Sequence, residues 1–272
     1  MKRSERTPIR AGHFNGRWAT RSKRFIPAAL LALLAVAIWQ IVVVAADVPA
    51  YIVPSPAEIM VELLAESSWL AVDLGWTMLE AVLGFLIGSG TAFVTAVLFV
   101  HVRVVERAAF PWAIVLQTIP IVAIAPLLTI WFGYTLVPKV IIAAIICFFP
   151  VLVNTTRGLR AVSNQAMELM NVLSARKASI FWRLRLPSSL PYVFAGLRVA
   201  ATLSVIGSIV AEFTGADRGI GYVIVQASYR IDTRLMFAAI ALSSLAGIVF
   251  FHVIGWIEKA TLRWPEARLD KD

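Results

Sequence analysis

Residues 137–156 read VPKVIIAAIICFFPVLVNTT, a run of twenty with one charge, Lys139, at its edge. A helix rises about 1.5 Å per residue, so such a run reaches across the roughly 30 Å hydrocarbon layer of a bilayer. Five further runs of this kind flank it, at residues 26–46, 74–100, 108–132, 190–211 and 235–257. The pattern predicts an all-α integral membrane protein of about six transmembrane helices. Composition points the same way. The chain is 60% hydrophobic and 15% charged, where a soluble domain averages about 45–50% and 25%. The surplus apolar surface exceeds what one soluble core hides, so lipid must cover it.

Other chemistry is excluded early. Cys147 is the single cysteine, so neither an intrachain disulfide nor a cysteine zinc site can form. His13, His101 and His252 are scattered without metal-binding spacing, and no cofactor or metal is called for. A net charge of +9 raises nucleic acid as a ligand, but the positions of the charges argue against it. They sit in the tail and in loops between apolar runs, as in a membrane protein orienting itself, and not interleaved with aromatics on one folded face.

Those positions fix the expected orientation. One side collects Lys2, Arg3, Arg6, Arg10, Arg17, Arg21, Lys23, Arg24, Arg103, Arg107, Arg157, Arg160, Arg176, Lys177, Arg183, Arg185, Lys259, Arg263, Arg268 and Lys271. The other has Lys139, Arg218, Arg230 and Arg234, and its first loop, 47–73, carries five acids and no base. The positive-inside rule puts both termini in the cytoplasm. The expected layout is a basic tail (1–25), a transmembrane domain (26–257) with an external segment (47–73) and a cytoplasmic loop (158–189), and a cytoplasmic C-terminal tail (258–272). A signal peptide is the rival for the first run. Its length of about 20 residues exceeds the 7–15 of a signal core, so retention is expected although Val44-Ala45-Ala46 could pass for a cleavage site.

Local grammar adds detail. Pro54-Ser55-Pro56 before Ala57-Glu58 reads as a turn and the start of a short external helix. Gly84-x-x-x-Gly88 permits close helix approach, in bundle packing or at a dimer face. Pro120 and Pro126 are expected to kink the third span, and Gly215, Gly219 and Gly221 punctuate the last external loop. Polar residues within spans tend to face the bundle interior or a watered cavity. Glu80, Gln117, Thr118, Asn154, Thr155, Ser204, Ser208 and Glu212 are therefore candidates for a solute path, against ordinary helix–helix hydrogen bonding.

The loop 158–189 is too polar to span and too rich in Leu, Ile, Phe and Trp to be a solvated linker. Residues 164–173 read as one helix, a break falls near Ser174, and 175–186 read as a second amphipathic helix stopped by Pro187. A basic, apolar helix pair suits a partner or the lipid surface equally. No G-x-x-x-x-G-K-[ST] occurs, so the chain holds no phosphate-cradling loop for ATP.

This loop resembles the EAA signature of permeases from binding-protein-dependent ABC importers. Glu168 takes the place of the Glu, Ser174 that of the Gly, and Leu186-Pro187 that of the terminal pair, while Leu169-Met170 replace Ala-Ala. Val53-Pro54-Ser55-Pro56, Thr118-Ile119-Pro120, Trp131-Phe132-Gly133, Phe149-Pro150, Asn154-Thr155 and Ala211-Glu212 with Gly219-Ile220-Gly221 look like the nitrate/sulfonate/taurine branch. Asp232-Thr233 with Met236-Phe237 is similar to relatives carrying pyrimidine or flavin precursors.

The resemblance implies a type I importer permease in the bacterial inner membrane. It would pair with a second copy, expected to be identical, take two separate ATPase subunits beneath, and receive solute from an extracytoplasmic binding protein. It further implies that Glu168, Leu173, Ser174, Ala175, Arg176, Lys177, Phe181, Leu186 and Pro187 form the ATPase-coupling loop. Glu168 would either pair with a cation or cap its helix. The competing expectation is a proton-coupled secondary transporter working through Glu80, for which no second partnering charge is visible in the sequence.

Overall fold

A computed structural model describes residues 19–262, with side chains from residue 26 onward. The basic residues at 2–17 and at 263–271 used for the orientation lie outside the described residues. The described residues divide into two compact units, one up to Glu58 and one from Ile59 onward.

The first unit holds helix α1 (Ala19–Ala45) and the entry to α2 (Pro56–Ala65). The Pro-Ser-Pro turn does start a helix. Ser55 N donates to Glu58 Oε2 at 2.9 Å and Glu58 N donates back to Ser55 Oγ at 3.3 Å. This reciprocal capping box satisfies two amides that the first turn leaves open. Ala57 N donates to Gln40 Oε1 of α1 at 3.0 Å, which fixes the return of the chain.

In the second unit α3 (Ser67–His101) is followed by α4 (Arg103–Thr118), α5 (Ile121–Phe132) and α6 (Leu136–Arg160). The loop helices α7 (Asn164–Val172) and α8 (Lys177–Ile180) lead through a π-helical turn, Phe181–Arg185, into α9 (Leu186–Glu212). The unit closes with α10 (Ile220–Tyr229) and α11 (Thr233–Thr261). Five helical stretches, 26–45, 67–101, 136–160, 177–212 and 233–261, are long and apolar enough to cross a membrane, and the bent pair α4–α5 makes a sixth if counted as one span.

Two expectations are corrected. The third span is broken, not kinked, since α4 and α5 meet at 93°. Ile119 precedes a proline and is pushed to an extended conformation (φ −70°, ψ 126°), so the helix ends there and restarts after Pro120. Pro126 sits inside α5 and leaves it continuous. Pro187, in turn, does not stop a helix. Leu186 N donates to Phe181 O, five residues back, and this wider turn accommodates the donor and space that Pro187 lacks. Helix therefore runs unbroken from Lys177 to Glu212.

Helix α6 is the axis of the unit, packed between α3 and α9. A Cβ at Gly84 would lie 3.0 Å from Val140 O, and one at Gly88 only 2.9 Å from Ala144 Cα. The Gly84-x-x-x-Gly88 pair thus serves bundle packing, bringing the backbones of α3 and α6 together. Small residues continue the contact. Ala81, Ala92 and Ala96 of α3 share a core with Cys147 and Val151 of α6 and Ala200, Ala201 and Val205 of α9. Phe85 and Phe250 add an edge-to-face pair at 5.2 Å.

The loop helix α7 begins with Ser163 Oγ accepting from Ala166 N at 3.3 Å. It ends in a Schellman motif, with Ala175 N donating to Met170 O at 3.0 Å and Ser174 N to Asn171 O at 2.9 Å. Ser174 supplies the left-handed residue, with φ +50°. That conformation costs a non-glycine residue about 1–2 kcal/mol, which explains why glycine is the usual choice there.

Candidate functional site

The break between α4 and α5 opens a cavity of about 480 Å³ against α3, α6 and α9. Ligand pockets run about 300–1,000 Å³. Its wall is mainly apolar and aromatic, with Leu116, Ile146, Phe148 and Phe149, and Gln117 and Thr91 bring the side-chain polar groups. No lining residue is charged. The Thr91 hydroxyl already donates to Ile87 O at 2.8 Å, so Gln117 is the group best able to orient a solute.

Of the residues expected on a path, the cavity takes Gln117 and leaves the others elsewhere. Thr118 Oγ1 donates to Val115 O at 2.8 Å, Asn154 Nδ2 to Pro150 O at 2.7 Å and Ser204 Oγ to Ala201 O at 2.9 Å, each within its own helix. The hydroxyls of Thr155 and Ser208 are buried without a partner among the described residues. Thr91, Phe148 and Phe149 were not singled out by the sequence reading for this role, because a cavity made by a helix break leaves no local pattern.

A second polar cluster sits where α3 and α6 begin and α9 ends. Lys139 Nζ lies 3.0 Å from Glu80 Oε1, with the residues 4% and 1% exposed. Glu80 therefore has a charged partner, contrary to the expectation of none. This buried ion pair clamps α3 to α6. Glu212, 1% exposed, is not solvated at its helix end. It accepts from Thr77 Oγ1 at 2.7 Å and from Gly221 N at 2.5 Å. Thr77 Oγ1 in turn accepts from Ile220 N at 2.8 Å, and Asp73 Oδ1 from Gly219 N at 2.7 Å. The open amides of α10 are thus met by side chains of α3 and α9. Gly219 is obligatory here, because its φ is +106° and a Cβ would run into the Glu212 carboxylate. The cluster ties α3, α6, α9 and α10 into one closed end.

At the opposite end α7 buries none of its residues. Leu169, Val172 and Leu173 are 60%, 81% and 66% exposed. Glu168 lies mid-helix in α7 and Arg176 directly precedes α8. The helix cap belongs to Ser163, not Glu168.

The description "binding-protein-dependent transport system inner membrane component" matches residues 84–263. The chain is 36% identical to the formylaminopyrimidine transport permease protein ThiX of Halalkalibacterium halodurans, over 90% of its own length and 98% of that protein. It is 33% identical to the riboflavin transport system permease protein RibX of Chloroflexus aurantiacus, over 88% and 89%. To the putative aliphatic sulfonates transport permease protein SsuC of Bacillus subtilis it is 31% identical, over 86% of each. A chain of the MetNI methionine ABC transporter in an inward-facing conformation superposes with a TM-score of 0.59 at 18% identity, covering 72% of this chain and 98% of that one. That likeness speaks for the fold.

Proposed function

This chain belongs to the binding-protein-dependent transport system inner membrane components, and we propose that it is the permease of an ATP-driven importer coupled to a separate ATPase through residues 164–187. Members of this family are multi-pass inner-membrane transport permeases, not enzymes. The observation that carries the coupling is the loop itself. Its apolar side chains Leu169, Val172 and Leu173 stand exposed on a helix that nothing in the described chain covers. Arg176, Lys177 and Arg183 flank them and suit an acidic rim, while Leu173, Ala175 and Phe181 supply apolar contact. In the proposed assembly two copies pair, two ATPases dock on the loops, and an extracytoplasmic binding protein delivers solute to the Glu80–Glu212 end. Both termini are then cytoplasmic, with the tails at 1–25 and 258–272 flanking the transmembrane domain.

The cavity supports a planar, uncharged heterocycle, of the pyrimidine or flavin-precursor kind, over a sulfonate. Phe148 and Phe149 bring aromatic side chains to the lining and Gln117 an amide. A sulfonate would lose its hydration there with no lining cation to offset the cost. The test is uptake into vesicles holding the permease with its own ATPase and binding protein. Formylaminopyrimidine is expected to enter only with ATP, and Gln117→Leu to slow it about three- to tenfold, as befits one lost hydrogen bond. Uptake of taurine alone would overturn the solute assignment, and uptake without ATP the importer assignment.

A further inference from the structure

At the α7 end of the bundle a separate hollow of about 400 Å³ is lined by Val100, Arg103, Glu106, Arg107, Arg160 and Arg185. Three separate segments bring the four guanidinium groups: the start of α4, the last residue of α6 and the last residue of the π-helical turn. Glu106 can answer only one of them. Arg160 Nη2 already lies 2.5 Å from Glu106 Oε2, and Arg103 and Arg107 bear on the same carboxylate. Positive charge is left in surplus around one hollow, and Arg103, Arg107 and Arg160 are exposed, so an anion at the surface can reach them.

We propose that this hollow holds the phosphate of an anionic phospholipid headgroup. Arginine forks match phosphate oxygens bidentately, and basic pockets between membrane helices take such headgroups. The surroundings favour a lipid over a soluble anion. Leu98, Val102 and Val104, beside the arginines, are 45%, 41% and 76% exposed, so hydrocarbon is in reach of the same site. A neighbouring apolar groove, lined by Val94, Val97, Leu98 and Trp182, shares the last turns of α3 and the π-helical turn as walls, and offers a surface for an acyl chain. Arg160 and Arg185 also bracket the loop that carries α7 and α8, so a bound lipid pins both roots of the coupling loop. An anionic lipid would thereby act on coupling as well as on retention.

The test uses the full chain in nanodiscs of phosphatidylcholine with or without phosphatidylglycerol, followed by detergent release and native mass spectrometry of the lipids retained. Wild type is expected to retain phosphatidylglycerol selectively. The double variant R103Q/R107Q is expected to bind it roughly ten- to thirtyfold more weakly, and R103K/R107K, which keeps the charge and serves as the folding control, to hold most of it. Equal retention by wild type and R103Q/R107Q would overturn the site. So would displacement of the lipid by inorganic phosphate at comparable affinity, which would make it a soluble-anion site. Loss of ATPase capture in R103Q/R107Q with phosphatidylglycerol retention unchanged would assign the hollow to the ATPase and overturn the proposal equally.

Discussion

Lys139→Met, with Glu80 kept, is expected to cost the folded protein about 3–5 kcal/mol, and Glu80→Met, with Lys139 kept, a similar amount. Each single change leaves a charge that is buried to within a few per cent without its partner at 3.0 Å. The double variant Glu80→Met/Lys139→Met is expected to recover most of the loss. Two apolar side chains then fill the site and neither member of the pair is left as an unpaired charge, a replacement often neutral or stabilising for buried pairs. The measurement is a double-mutant cycle on thermal unfolding of the detergent-solubilised chain. Additive losses would mean that the two residues do not act as a pair. Uptake in the double variant separates a clamp from a proton carrier, since a clamp survives joint replacement and a carrier does not.

Gly88→Leu is expected to prevent stable folding, and Gly88→Ala to cost at least the upper part of the roughly 1–3 kcal/mol that overpacking usually does. The obstacle is backbone. A Cβ there would lie 2.9 Å from Ala144 Cα and 3.0 Å from Ala144 C, and a backbone cannot rotate away as a side chain can. Since α6 also packs on α9, displacing it from α3 disturbs both interfaces. Gly90, two residues on, meets nothing within 4 Å. Gly90→Ala should be neutral or gain a few tenths of the ~1 kcal/mol by which alanine exceeds glycine in helices. Unfolding midpoints of the two alanine variants, measured side by side, check the contrast.

The transmembrane architecture was readable because a twenty-residue apolar run has few other uses. Its details depended on contacts between distant residues. Pro120 announced a disturbance, but whether a helix bends or breaks depends on whether neighbours re-satisfy the freed groups. Pro187 read as a stop because the π-helical turn before it has no sequence signature. The Lys139–Glu80 pair joins residues far apart in the chain, and Lys139, at the edge of its run, read as a loop charge. Glu212 stands at the end of its run, and nothing local shows that Thr77 and Gly221 surround it. The loop break at Ser174 was legible locally, because a change of helix direction is written into the residues that make it. The cavity was not, because it exists only where the break in α4–α5 faces α6.

The most direct test of the coupling account is capture of the ATPase. The chain, tagged at its C-terminus and extracted from native membranes in mild detergent, should bring a stoichiometric nucleotide-binding subunit with it. Ala175→Glu and Leu173→Asp, both in the exposed loop and away from the bundle core, should lose that subunit while the permease stays folded and monodisperse. A permease that emerges alone in repeated preparations, or whose ATPase is held equally by both variants, would contradict the account.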